Sequence, residues 1–241
     1  MLATLSPALS PSSPIEADQR AQREYLELET MGAQLQLARR KVQPKQALFR
    51  GGQPLHSLYL IHAGCFKTQL VSADGREKIT GFRMRGDLLG LDALGTPRYA
   101  CDAVALELGE VWELPCAQLE AFGDRIPELR QHLTAALARE IRRDWHWMLS
   151  VGTLNAEQRV VAFLLDLAER QNALGFSPRH LMLRMTRADL GSFLSLTLET
   201  VTRVLSRLAG LGAIGVERRQ IAIQQPALLR TLLDGGMAVC H

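Results

Sequence analysis

The chain has 241 residues, enough for one large domain or two smaller ones. Its 47% hydrophobic content can build real cores, yet no apolar run reaches the ~18 residues of a membrane span, which excludes a helical membrane protein. A net charge of +3 is too small to identify a partner without a local concentration of charge.

The first stretch, MLATLSPALSPSSPIEAD, has no basic n-region and no long apolar h-region. It predicts a flexible tail and a cytoplasmic protein without a secretory signal. Residues 15–40 have helical character, with Tyr25, Leu26, Leu28, Met31, Leu35 and Leu37 among Glu, Gln and Arg. We set residues 1–34 as tail and short helix.

From Lys41 the texture changes to short apolar runs punctuated by Gly, Pro and Asp. Ala47-Leu48-Phe49, Leu58–His62, Cys65–Val71, Lys78–Phe82, Val104–Leu106 and Val111–Leu114 read as strands, with Ala63-Gly64 and Ala73-Asp74-Gly75 as turns. Many short strands at regular spacing predict an antiparallel barrel or jelly roll over 35–126. From Glu128 to Val151 there is no Gly or Pro, and Leu129, Leu133, Leu137, Ile141, Met148 and Val151 recur mostly at four-residue steps. That predicts a helix of roughly 35 Å with an apolar seam, set at 127–152, which pairs with a symmetry mate. Asp144 lies on or beside the seam, flanked by Trp145 and Trp147.

The segment 155–230 holds ten arginines, no lysine and six acids, an excess of four positive charges. Asn155–Glu169 reads as a helix, broken by Gly175-Phe176-Ser177-Pro178. Thr186 to Leu208 then reads as two helices with a tight turn at Ser195-Leu196. Thr186 is an N-cap supported by Asp189, and Thr197 is a second N-cap with Glu199 behind it. On a helical wheel Val201, Val204, Leu205 and Leu208 form a buried face, and Glu199, Thr202, Arg203 and Ser206 the exposed one. An Arg suits guanine, a Glu suits cytosine N4 and a Thr suits polar edges or a thymine methyl. Gly210 and Gly212 end this helix, and Ala213–Val216 with Gln220–Gln224 form a hairpin whose tip carries Arg218 and Arg219 within reach of phosphates. The fold class is therefore α+β, with a β-barrel, a long dimerisation helix and a winged helix-turn-helix over 153–230, followed by a tail at 231–241. Thr197 and Arg187 join the candidate DNA contacts.

LTLETVTRVLSRL at 196–208, TRADLGSFL at 186–194, GFSPR at 175–179, KITGFRMRGDLLGLDALG at 78–95 and LFRGGQPLHSLYLIHAGCFK at 48–67 together resemble the Crp/Fnr family of bacterial transcription regulators, the Fnr branch in particular. The resemblance runs from about Leu35 to Leu229. It implies a homodimer on double-stranded DNA, at a palindromic operator with TTGAT-like half-sites read by Glu199, Thr202 and Arg203. It implies that Arg130, Ile141 and Asp144 control dimerisation, and that Arg85, Gly86 and Asp87 touch RNA polymerase. It also implies a regulator of oxygen- or redox-linked genes and not an enzyme.

The chain departs from the Fnr branch at the sensor. Its cysteines are Cys65, Cys101, Cys116 and Cys240, none precedes residue 65, and Trp112 in VWELP stands where the family has its barrel cluster ligand. No cofactor is expected, and an Fnr-type [4Fe–4S] cluster and cyclic AMP are both disfavoured. For cyclic AMP, Leu91 replaces the ribose-binding Glu, and Arg98-Tyr99-Ala100-Cys101 does not supply the Arg-Ser pair. The alternatives are a haem on His56, His62 or Cys65, a Cys101–Cys116 redox pair, a small ligand, or a constitutive regulator. Cys240 is expected to be the most exposed thiol. A cupin-type enzyme would need paired metal ligands in the barrel, a pattern that His56 and His62 do not form.

Overall fold

The structure, a computed structural model, describes residues 30–72 and 74–235. Eight strands form the first unit: β1 (Ala38–Val42), β2 (Ala47–Phe49), β3 (Ser57–Ala63), β4 (Cys65–Val71), β5 (Glu77–Met84), β6 (Leu88–Leu89), β7 (Asp102–Ala105) and β8 (Gly109–Pro115). They make two four-stranded antiparallel sheets, ordered β1-β8-β3-β6 and β2-β7-β4-β5. Val42, Phe49, Tyr59, Ile61, Phe66, Leu89, Ala103 and Val111 fill the space between them. The β3–β4 turn needs Gly64. Its φ is +92°, and a Cβ there would lie 2.7 Å from the Gly109 Cα.

Two expectations change at the start of the barrel. Residues 38–40 belong to β1 and not to a helix, and the candidate helix over 15–29 lies outside the described residues. ARRKV has good intrinsic helix propensity, but pairing with β8 overrides it: Arg40 sits 3.5 Å from Glu113, and the Arg39 guanidinium lies over the Trp112 ring.

Helix α1 (Leu119–Arg125) leads into α2 (Pro127–Thr153), whose 27 residues span about 40 Å. Pro127 at the first turn starts α2 without loss of a helical hydrogen bond. Then follow α3 (Ala156–Ala173), β9 (His180–Met182), α4 (Arg187–Leu194), α5 (Leu198–Gly210), β10 (Ile214–Glu217), β11 (Gln220–Ile223) and α6 (Pro226–Leu233). Asn155 and Gln158 close a capping box on α3, and Thr186 and Asp189 close one on α4. Strand β9 joins the wing to give the sheet β10-β11-β9. The expected tail at 231–241 begins too early, because α6 runs to Leu233 and Leu232 is buried in the core. No described helix is long and apolar enough to cross a membrane.

The barrel, α2 and the C-terminal unit meet at one aromatic junction. Phe82 of β5, Trp147 of α2, Phe163 of α3 and Phe193 of α4 pack edge to face or tilted. Centroid separations run from 4.9 Å for Trp147–Phe193 to 6.2 Å for Trp147–Phe163. Beside it Asp87, in the β5–β6 turn, accepts from Arg170 of α3 at 2.6 Å and from the Met84 N–H at 2.9 Å, with Arg143 of α2 at 3.5 Å. Burial alone would raise the Asp87 carboxyl. The guanidiniums of Arg170, Arg143 and Arg83 outweigh it and hold the carboxyl below the usual carboxylate range.

A depressed carboxyl contributes stability above its unfolded value of about 3.9 and loses it as pH falls through the folded value. Asp87→Ala leaves two half-buried guanidiniums uncompensated and should cost about 3–5 kcal/mol at neutral pH in chemical denaturation. Asp87→Asn should also lower stability at pH 7 and converge with the wild type in acid; equal stability at pH 7 would refute the pin.

Candidate nucleic-acid interface

Helices α4 and α5 meet at a turn fixed by two backbone features. Ser195 adopts a left-handed conformation, φ 56° and ψ 47°, so the chain reverses at once after α4. Gly191 lies so close to the turn that a Cβ would sit 2.7 Å from the Leu196 carbonyl oxygen. The sequence reading missed Gly191, although a glycine inside an otherwise regular helix is the signal for such a contact.

Helix α5 buries Val201, Val204, Leu205 and Leu208 and leaves Glu199, Arg203 and Ser206 exposed, as its wheel predicts. Thr202 is half-buried, and its hydroxyl accepts from Arg187 of α4 at 3.3 Å. Thr197 caps α5 by accepting from the Thr200 N–H at 3.1 Å. The exposed Glu199 carboxyl is held below the usual range by its own backbone N–H and by the Thr197 hydroxyl, so it is charged and accepts hydrogen bonds only. At the wing tip Arg218 (φ 54°) and Arg219 are exposed between β10 and β11. The face therefore carries one anionic acceptor, hydroxyls and guanidiniums on a convex helix, which suits a major groove.

The apolar stripe of α2 divides. Leu129 and Ala136 are buried, and Leu133 and Leu137 half-buried, against this chain's own barrel. Farther along, Ile141, Trp145, Met148 and Leu149 are exposed at helical spacing and leave an uncovered apolar stripe, the candidate for the expected seam. Trp145 lies on this exposed stripe, while Trp147 turns into the aromatic junction. Ile141 and Asp144 lie on the exposed stretch, but Arg130 is at the α1–α2 corner, 2.7 Å from Asp124. Of the expected polymerase loop, Arg85 and Gly86 are half-buried and Gly86 makes the turn at φ +86°. Asp87 faces inward on its arginines, and its carboxylate is not a free surface group.

Among the described residues no group of three or more His, Cys, Asp or Glu could hold a metal ion. His62 is stacked on Trp112 at 5.2 Å, His56 is exposed ahead of β3, and Cys65 is buried on the other sheet, so the three do not converge. Cys101 and Cys116 are both free thiols. Cys101 precedes β7 in one sheet, and Cys116 follows β8 in the other. Burial raises all three described thiols, Cys65 to about 12.

Replacing Met148 with Lys puts a charge in the seam and forfeits about 1.5–3 kcal/mol of apolar burial per copy. The dimer should dissociate at least tenfold more readily in sedimentation velocity; an unchanged dimer would move the seam elsewhere. Native alkylation followed by peptide mapping should modify Cys116 well ahead of the buried Cys65 and Cys101, and equal rates would contradict the burial order.

Residues 39–125 match the family model of the cyclic nucleotide-binding domain, and residues 158–232 match the Crp-like helix-turn-helix domain. The chain is 39% identical over 194 residues to the fumarate nitrate reduction regulatory protein of Klebsiella oxytoca, covering 80% of this chain and 78% of the relative. It is 39% identical over 185 residues to the anaerobic regulatory protein of Haemophilus influenzae, covering 77% and 72%. Among solved structures, that of FixK2 from Bradyrhizobium japonicum superimposes with a TM-score of 0.74 at 28% identity, over 85% of this chain and 99% of that one. With a barrel, a long helix that carries an uncovered apolar stripe and a convex polar face in one chain, these likenesses agree with the geometry: the chain belongs to the Crp/Fnr family of DNA-binding transcription regulators.

Proposed function

We propose that the chain works as a homodimer that reads inverted TTGAT-like half-sites with Glu199, Thr202 and Arg203, and regulates oxygen- or redox-linked genes without an Fnr-type cluster. The observation that carries the base-reading assignment is the face of α5, where an exposed Arg203 and a charged Glu199 lie one turn apart and Thr202 is braced beside them. Arg187, Arg218, Arg219, Thr197 and Ser206 serve the phosphates and the groove edge. The names of relatives such as the anaerobic regulatory protein support the oxygen-linked role. The turn at Arg85 and Gly86 is the surface proposed for RNA polymerase, and Asp87 anchors it from behind.

Trp112 supports the cluster-free reading. It is buried, covered by His62 and Arg39, and packed so closely on Gly32 that a Cβ there would lie 2.0 Å from the ring. Neither a thiolate nor space for one is present at that position. A cavity of about 250 Å³ beneath β4–β6 and α2 argues against cyclic AMP. Leu91 lines it, and the buried Arg83 guanidinium is already bound to Glu140 of α2. Burial raises the Glu140 carboxyl even so, with Arg83 offsetting part of the effect.

Arg203→Ala should lose operator binding, by about 1–3 kcal/mol per half-site, while the protein remains dimeric. Retained sequence-specific binding in a mobility-shift titration would remove Arg203 from the reading face. Anaerobically purified protein should show no iron–sulfur absorption near ~400 nm; stoichiometric iron and sulfide would overturn the cluster-free reading.

A further inference from the structure

The hairpin β4–β5 of the barrel holds helix α4 at both ends. At the N-terminal end, the Lys67 ammonium donates to Asp189 Oδ1 at 2.9 Å, with both side chains largely shielded from water. Asp189 is also the N3 residue of the α4 capping box, so this contact ties the barrel to the start of the helix. At the C-terminal end, the Lys78 ammonium donates to the Ser192 carbonyl, to the Phe193 carbonyl at 3.2 Å and to Ser195 Oγ at 2.8 Å. Those carbonyls are among the last of α4, where the backbone offers only the Ser195 N–H to the Ser192 oxygen at 3.4 Å, and the negative end of the helix dipole favours a cation there. Between the two lysines the Ile79 N–H donates to Ser192 Oγ at 3.1 Å, and Phe82 packs on Phe193. Lys67 and Lys78 are the barrel's cationic contacts at the two ends of this helix. They lie far from the exposed face of α5 in role, since neither belongs to the DNA-binding unit.

The covalent route from the seam to α5 passes through Leu154 and Asn155, a short extended link between α2 and α3. A link of that kind fixes distance but leaves rotation open. The Asp87 network and the aromatic junction restrain that rotation close to the α2–α3 link, and the hairpin extends the restraint to α4, which it grips at two separated points and which carries α5 through the Gly191–Leu196 contact.

We propose that Lys67 and Lys78 are positioning residues for operator recognition: they fix where α5 sits relative to the dimer seam, and so set the half-site spacing the dimer accepts. A dimer reads two half-sites only when its recognition helices are held at the matching separation. The proposal rests on α5 being the base-reading helix. It assigns the barrel a part in specificity separate from any signal it receives.

The test is selection from a random duplex library with the full-length wild type and with a Lys67→Met, Lys78→Met double variant, which keeps the aliphatic stems and loses the charges. Both the bases within the half-sites and the spacer length are read by sequencing. The wild-type pool should show one spacer length. The variant pool should show the same half-site bases with that single-spacer preference lost, and Lys67→Arg, Lys78→Arg should recover it. A variant pool that keeps the single spacer overturns the proposal. So does one that loses bases and spacing together, since the lysines would then serve only the fold. A wild-type pool without enriched half-sites would instead remove the base-reading assignment of α5, and the clamp's role with it.

Discussion

The carboxylate of Asp87 is the point on which the assembly of this chain depends. It belongs to a barrel turn, yet its partners are on the long helix and on the first helix of the DNA-binding unit. Removing three charges from water is expensive, and a buried network of this kind adds little net stability. Its contribution is geometric. An apolar junction such as Phe82, Trp147, Phe163 and Phe193 tolerates small slides between elements, whereas a carboxylate bound to two guanidiniums and a backbone N–H accepts one arrangement. The aromatic rings supply the burial, and Asp87 selects the register in which they are buried.

Much of the DNA-binding unit was legible in the sequence because its signals are local. Thr186 with Asp189, and Thr197 ahead of the apolar repeat, mark helix starts through hydrogen bonds made within four residues. The wing is marked by the charged pair between two β-branched runs. What was not legible depends on distant partners. ARRKV became a strand because β8 lies beside it. Strands β6 and β9 are two and three residues long, too short for a period to register. The stripe of α2 was visible, but which half of it faces the barrel and which half another copy is decided by where the barrel ends. The same limit applies to Asp87, read as a surface residue.

The barrel shares its architecture with the cyclic nucleotide-binding domain. In this chain its internal polar groups are largely answered from within. Glu140 meets Arg83, the Thr80 and Thr68 hydroxyls bond to each other at 2.9 Å, and Asp102 accepts from the Gly51 N–H at 2.8 Å. Those contacts tie β4 to β5 and the barrel to α2.

The tryptophans of this chain occupy three different surroundings, and that has an optical consequence. Trp112 and Trp147 are 3% and 8% exposed, one beneath the N-terminal segment and the other in the aromatic junction. Trp145 is 63% exposed and lies on the apolar stripe of α2. Indole emission shifts to shorter wavelength as water is excluded, so two of the three fluorophores already emit from dry sites in the isolated chain. The water-facing one is Trp145. The molecule thus carries an intrinsic spectroscopic gauge of one surface, with the solvent-sensitive part of its emission confined to the uncovered apolar stripe of α2.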